Sequence, residues 1–327
     1  MMDKLDLTDR RILSELDINC RISDTQLGKK VRKSREAVRY RIRQLEQKGV
    51  ITGYLTAINP NRFGWHMFKV YLQLENIPEE RQRFYSFLRT SKRIYWYGIC
   101  DGAFDCIFAI LSRNVTDYYD EINAICSQWR HLIIRKVLGV MVDTVQYNKK
   151  YFCETAPREN GGFGGNTLEN KLDEIDLKLL DTMANNGRIP LVQLARKSGA
   201  SAESVRRRIK AMEESGVILG YRISVDLNKL GYMFFKAIIY FKSLSKKQEA
   251  SLREWMRSHR NSVYYIRSLA PWEAEFEFVV ENYQQFNQII SELREKFPNV
   301  VKNCEHVLFS EEGWMPAYGK LETGEMK

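Results

Sequence analysis

The residues best placed to do chemistry are two short basic runs. Ser34-Arg35-Glu36-Ala37-Val38-Arg39-Tyr40-Arg41-Ile42-Arg43 and Ser201-Ala202-Glu203-Ser204-Val205-Arg206-Arg207-Arg208-Ile209-Lys210 follow one pattern. Each opens with a serine, a good helix N-cap. Val38, Ile42 and Leu45 recur at i, i+4, i+7 and must face a core, which leaves Arg35, Arg39 and Arg43 on an outer row beside Tyr40. In the second run Val205, Ile209 and Met212 turn inward, and Ser204, Arg206, Arg207 and Lys210 turn outward. Arginine forks onto the guanine edge, and Arg and Lys neutralise phosphates. The candidate DNA contacts are therefore Ser34, Arg35, Arg39, Tyr40, Arg43, Ser201, Ser204, Arg206, Arg207 and Lys210. A solvated basic face is the bland alternative, and its appearance twice in one chain argues against it. Glu36 and Glu203 sit in first helical turns, where the dipole favours a carboxylate; accepting a cytosine amino proton is the other reading.

No catalytic set stands beside these runs. His66, His131, His259 and His306 are scattered, and no Ser/His/Asp grouping or metal-ligand spacing occurs. Gly161-Gly162-Phe163-Gly164-Gly165 lacks the following Lys-Ser/Thr of a phosphate loop. The six cysteines include no CxxC pair, so they read as reduced, mostly buried thiols, although Cys100 and Cys106 could face each other across a hairpin. No catalytic residue, metal or cofactor is expected.

Three short helices must carry each basic run. Asp6 caps the first, Ser23 to Val31 forms the second, and Ser34 opens the third, which Gly49 ends. That is a helix-turn-helix, whose last helix suits the roughly 12 Å major groove. A shift of 167 residues overlays this segment on a second copy, with roughly 24 of about 60 positions identical. Val50 to Ile58 and Val217 to Val225 follow as strands, serving as wings or as connectors. Each copy then continues as β-α-β-β-α-β, the ferredoxin-like order. Helices cover one face of such a sheet, and the two copies could cover each other's free faces within the chain.

The expected organisation is α+β: two winged helix-turn-helix domains, 1–60 and 171–227, alternate with two ferredoxin-like αβ sandwiches, 61–152 and 228–312. A Gly/Asn/Pro-rich linker over 153–170 and a tail over 313–327 complete it. Eighteen residues of coil would span roughly 20–25 Å. The net charge of +10 favours a polyanionic partner. No apolar run is long enough for a membrane span and the N-terminus has no signal-like core, so the expected compartment is the cytoplasm.

The duplicated Leu-Asp-x-x-Asp, Arg-Ile, Gln-Leu, Ser-x-x-x-Val-Arg-x-Arg-Ile and Gly-Val-Ile-x-Gly-Tyr, with Gly102-Ala103-Phe104-Asp105 at a hairpin, resemble the Lrp/AsnC (leucine-responsive) family of transcription regulators. The fusion looks like that family's archaeal branch. The resemblance implies double-stranded DNA as partner and a RAM-type sensing domain that takes an amino acid or other small effector. It carries effector contacts onto Asp101, Gly102, Phe104 and Asp105. The second copy has Ala270-Pro271-Trp272-Glu273 there, leaving Trp272 and Glu273 as weaker counterparts, or a turn with a packing tryptophan. An intrachain pseudo-dimer, with further homo-oligomers, is expected. Sequence-specific regulation is the leading reading. Alternatives are a nonspecific architectural DNA-binding protein and, less favoured, an enzyme like the sirohaem decarboxylases, which resemble the same architecture.

Overall fold

A computed structural model describes residues 5–153, 161–166 and 170–314. In the first reading domain α1 (Leu7–Ile18), α2 (Asp24–Val31) and α3 (Arg35–Gln47) pack around Ile12, Leu13, Leu16, Leu27, Val38, Ile42 and Leu45. Each helix begins where a side-chain oxygen accepts an orphan amide: Asp6 from Asp9, Ser23 from Gln26, Ser34 from Ala37. Strand β1 (Ile51–Ile58) follows, then a single 3-10 turn over Pro60–Arg62. The first sheet domain comprises β2 (His66–Leu74), α4 (Pro78–Thr90), β3 (Trp96–Gly102), β4 (Cys106–Ser112), α5 (Val115–Gln128) and β5 (Ile133–Gln146).

The second copy repeats the order. Its reading domain is α6 (Glu174–Ala184), α7 (Leu191–Ser198), α8 (Ala202–Glu214) and β6 (Ile218–Val225). Its sheet domain is β7 (Met233–Phe241), α9 (Lys246–Ser258), β8 (Ser262–Leu269), β9 (Ala274–Val280), α10 (Tyr283–Lys296) and β10 (Val301–Trp314).

The copies share hydrogen bonds as well as apolar cover. Strand β1 pairs antiparallel with β6, and Leu55 lies opposite Arg222, its own counterpart at the 167-residue offset. The pseudo-twofold axis therefore passes through this pair. So the strands after the reading helices connect the halves, rather than projecting as separate wings. Equivalent bonds reinforce the joint: the Cys20 amide donates to Tyr221 O at 2.9 Å, and the Gly187 amide donates to Tyr54 O at 2.7 Å.

The sheet domains close an eight-stranded barrel in the order β10-β3-β4-β2-β5-β8-β9-β7. Strands β5 and β10 make this possible. Each has 14 residues. The first part of β5 pairs with β2 and its last part with β8; β10 pairs with β7 and then β3. Closure removes the sheet edges that two separate sandwiches would expose. Helices α4 and α5 cover one flank through Phe84, Leu88, Ile122 and Ile125. Helices α9 and α10 cover the other through Leu252, Met256, Phe286 and Leu293.

Within the expected 153–170 linker, 154–160 and 167–169 lie outside the described residues, as does 315–327 of the expected tail. The described stretch 161–166 is paired rather than free coil. It takes the side of β5 that β2 leaves beyond Val140: the amides of Thr144 and Gln146 donate to Phe163 O and Gly161 O at 2.8 and 3.0 Å. Backbone pairing needs no particular side chain, so Gly/Asn composition could not reveal it. Gly313 and Trp314 end β10 opposite Tyr97 and Trp96. Cys100 and Cys106 cannot face each other, because Cys100 belongs to the barrel interior and Cys106 to the core under α4 and α5; both thiols are free.

Candidate nucleic-acid interface

The two reading helices present what their spacing implied. Arg35, Arg39, Tyr40 and Arg43 are exposed on α3, and Arg206, Arg207 and Lys210 on α8. Tyr40 is 64% exposed. Ser34 and Ser201 are spent first as caps: their Oγ atoms accept the Ala37 and Ser204 amides at 3.1 and 3.2 Å. Only their hydroxyl protons stay available to a phosphate. Ser204 is half-buried.

The arginines are not equivalent. Arg39 Nε donates to Asp24 Oδ2 at 3.0 Å, and Asp24 also holds Arg188 of the other half at 3.3 Å. In the second copy the position of Asp24 is Leu191, and Arg206 has no ion pair among the described residues. Lys210 lies 3.6 Å from Glu214 on its own helix. Arg35, Arg43 and Arg207 carry no ion pair among the described residues.

A further arginine pair is structural. Arg41 spans Asp6 and Asp9 at 2.6 and 2.8 Å, and Arg208 spans Asp173 and Asp176 at 2.7 and 2.9 Å. Each clamps the last reading helix to the start of the first. The Asp9 amide, then Arg41, holds the Asp6 carboxyl below its usual range. Across the joint Arg21 lies over the Tyr221 ring and Arg188 over the Tyr54 ring, both at 5.0 Å.

At the hairpins the effector candidates divide. Phe104 and Trp272 are buried and plug one end of the barrel around Tyr71, with Trp272 in an edge contact at 4.7 Å. Asp105 accepts the Leu74 amide at 2.7 Å and pairs with Arg81 at 2.7 Å; Glu273 accepts the equivalent Phe241 amide at 2.9 Å. These four side chains stabilise the fold, because each hairpin must satisfy the last amide of a neighbouring strand. Gly102, at φ +119°, would drive a Cβ to 2.5 Å from His306 O, so glycine permits the β3–β10 approach. Asp101, Gly102 and Glu273 are exposed, and of these Glu273 is already committed to the Phe241 amide.

The barrel interior holds an ionised cluster that pattern reading missed. Lys69 Nζ lies 2.9 Å from Glu275, Lys236 bridges Glu275 and Glu277, and Tyr71 and Ser268 donate to Glu275. All four charged side chains are buried. Burial alone would raise the Glu275 carboxyl, but Lys236 and Lys69 with these hydrogen bonds hold it well below the usual range. Burial, partly offset by Glu275, lowers Lys69 to about 8. The signal was present: Lys69 and Lys236 interrupt apolar strands at matching positions, and Ala-Glu-Phe-Glu-Phe alternates charge inward.

The AsnC-type helix-turn-helix domain model matches residues 5–46, and a winged helix-turn-helix DNA-binding model matches residues 172–218. The chain is similar to the proline dehydrogenase transcriptional activator of Rhodobacter capsulatus, 35% identical over 120 residues, which are 36% of this chain and 78% of that one. The chain belongs to the Lrp/AsnC family of transcription regulators. The HTH-type transcriptional regulator LrpA of Pyrococcus horikoshii is 43% identical over 61 residues, 19% of this chain and 43% of that relative. Among solved structures, the siroheme decarboxylase NirDL covers 98% of both chains at TM-score 0.63 and 9% identity. At that identity the likeness is one of fold alone. No helix among the described residues is long and apolar enough to cross a membrane.

Proposed function

We propose that this Lrp/AsnC protein is a sequence-specific DNA-binding regulator of transcription whose α3 and α8 read two unlike half-sites. The observation that carries this is the pair of exposed basic helices with different outer rows. Arg35, Ala37 and Tyr40 on α3 stand where α8 has Ala202, Ser204 and Arg207. A homodimer reads a palindrome; two fused but unlike readers favour an asymmetric operator. Fusion also raises the effective concentration of the second reader to the millimolar scale. The protein acts in the cytoplasm as an intrachain pseudo-dimer, alone or as a higher oligomer, and is not an enzyme. Control by an amino acid or similar effector at the hairpins would rest on Asp101 and Gly102, since the fold uses the other candidates.

The test is duplex binding by anisotropy across a salt series. The expected result is a steep loss of affinity with salt, shallower for Arg35→Ala, Arg43→Ala, Arg206→Ala or Arg207→Ala by about 1 in log–log slope for each phosphate contact removed. Binding unchanged by all four would overturn the assignment of the surface.

A second reading follows from the whole-chain likeness to a siroheme decarboxylase. Against it, the histidines are dispersed: His131 beside Glu80, His259 at the end of α9, His306 among Tyr283 and Phe286, and His66 at the start of β2. An iron tetrapyrrole whose Soret band is unshifted by the protein, and which separates from it on gel filtration, would exclude that reading.

A further inference from the structure

Between the β1–β6 sheet and the open mouth of the barrel lies a cavity of about 670 Å³, far from the hairpins that plug the other end. Its wall is rich in rings, among them Tyr95, Tyr151, Tyr232, Phe234, Phe309 and Trp314. Most charges in the wall are already committed. Lys149 pairs with Asp17 at 2.9 Å and donates to Ile223 O at 3.1 Å. Glu311 accepts both ends of Arg89 at 2.8 and 2.6 Å. Asp226 accepts the Lys229 amide at 3.1 Å, and Arg222 is engaged within the protein.

Glu312 differs. Its side chain is open to solvent although protein atoms surround it, which places it on the cavity wall. Its hydrogen bond among the described residues is a long one, 3.4 Å from Trp96 Nε1. Glu277 on β9 faces it with like charge, while Lys236 on β7 and Lys149 after β5 oppose that. Burial and then Glu277 raise its carboxyl to about 7. Lys236 is occupied by Glu275 and Glu277, so it supplies no dedicated partner.

We propose that this cavity binds a small organic cation, an amine or quaternary ammonium on an apolar body, with Glu312 as its counter-ion and the surrounding rings as its cage. A carboxylate among aromatic faces is the chemistry that recognises such a group, through ion pairing and cation–π attraction. The volume falls within the range of small-molecule sites. The site lies outside the hairpin contacts that the family resemblance implied, and its occupancy can be measured without DNA.

The test is calorimetric titration of the full chain with phenethylamine, tryptamine and phenyltrimethylammonium, with 3-phenylpropionate as anionic isostere. Binding of the cations over the anion is expected. Because Glu312 must be ionised to pair, affinity should be weaker at pH 6 than at pH 8. Glu312→Gln, which preserves shape, should weaken binding at least about tenfold and abolish the pH dependence, with an unchanged melting temperature to exclude misfolding. Asp101→Asn at the hairpin should leave binding intact. Failure of all three cations to bind, equal binding by Glu312→Gln, or preference for 3-phenylpropionate overturns the proposal.

Discussion

Arg41 and Arg208 are as basic as their neighbours, yet both are turned onto aspartates of the first helix in their copy. Position on the helix decides: residues three or four apart share a face, and these fall between the apolar stripe and the outer row. Arg207 lies on the outer row where the first copy has Tyr40. Arg207→Tyr should therefore move the second half-site toward the preference of the first, by about 1–3 kcal/mol at the base it contacts. Competition between duplexes carrying each half-site measures this. Half-buried His259 behaves differently. Burial, with nearby Lys150, lowers it from 6.5 to about 4, and its Nδ1 accepts the Asn261 amide at 3.2 Å. The unfolded chain takes up this proton near pH 6.5 and the folded chain resists until about 4. Stability from this group is thus present above pH 6.5 and lost as pH falls toward 4. His259→Gln should flatten that part of a pH series of urea melts. Glu275 bears the largest load: Glu275→Gln should cost about 3–5 kcal/mol, since Lys69 and Lys236 lose their shared partner.

At the scale of elements, caps and stripes were legible and pairing was not. Ser34 and Ser201 announce the reading helices, and both caps form as read. Replacing either by Ala should cost about 1 kcal/mol, visible in thermal melts, whereas Gly should cost only a few tenths. The β-α-β-β-α-β order was equally readable, because alternation and turn residues are local signals. The joins between halves were not. Nothing in Ile51–Ile58 says whether β1 stands as a wing or pairs with β6, since a strand's partner is set by tertiary packing. The long β5 and β10 read as ordinary last strands, and their passage into the opposite sheet shows only in three dimensions. The hairpin candidates Phe104, Asp105, Trp272 and Glu273 were visible as residues, but their roles depend on the barrel end that they fill and the amides that they satisfy. The Glu312 cavity escaped for the same reason, since it does not exist until the barrel closes; the interior charges left a trace in the strand alternation, but their pairing did not.

The whole molecule is a duplication that has become asymmetric inside. Lys69 and Lys236 are counterparts, but Glu275 and Glu277 correspond to Ile107 and Ala109, which lie opposite Tyr71 and Lys69 on β2. Two first halves closing on each other would enclose two lysines without a carboxylate; two second halves would enclose an excess of carboxylates. Only unlike halves balance, and unbalanced buried charge is strongly unfavourable. Co-expressed, separately tagged halves should recover mainly as the unlike pair, and equal recovery of like pairs would count against this. The same asymmetry reaches the surface, where Asp24 tethers Arg39 but Leu191 leaves Arg206 without that tether. The most direct measurement is selection of bound duplexes from a random pool at physiological salt, followed by sequencing. Enrichment of two different half-sites about one helical turn, or 34 Å, apart is expected. Tight, salt-sensitive binding with no enriched sequence would contradict it and leave a nonspecific architectural protein.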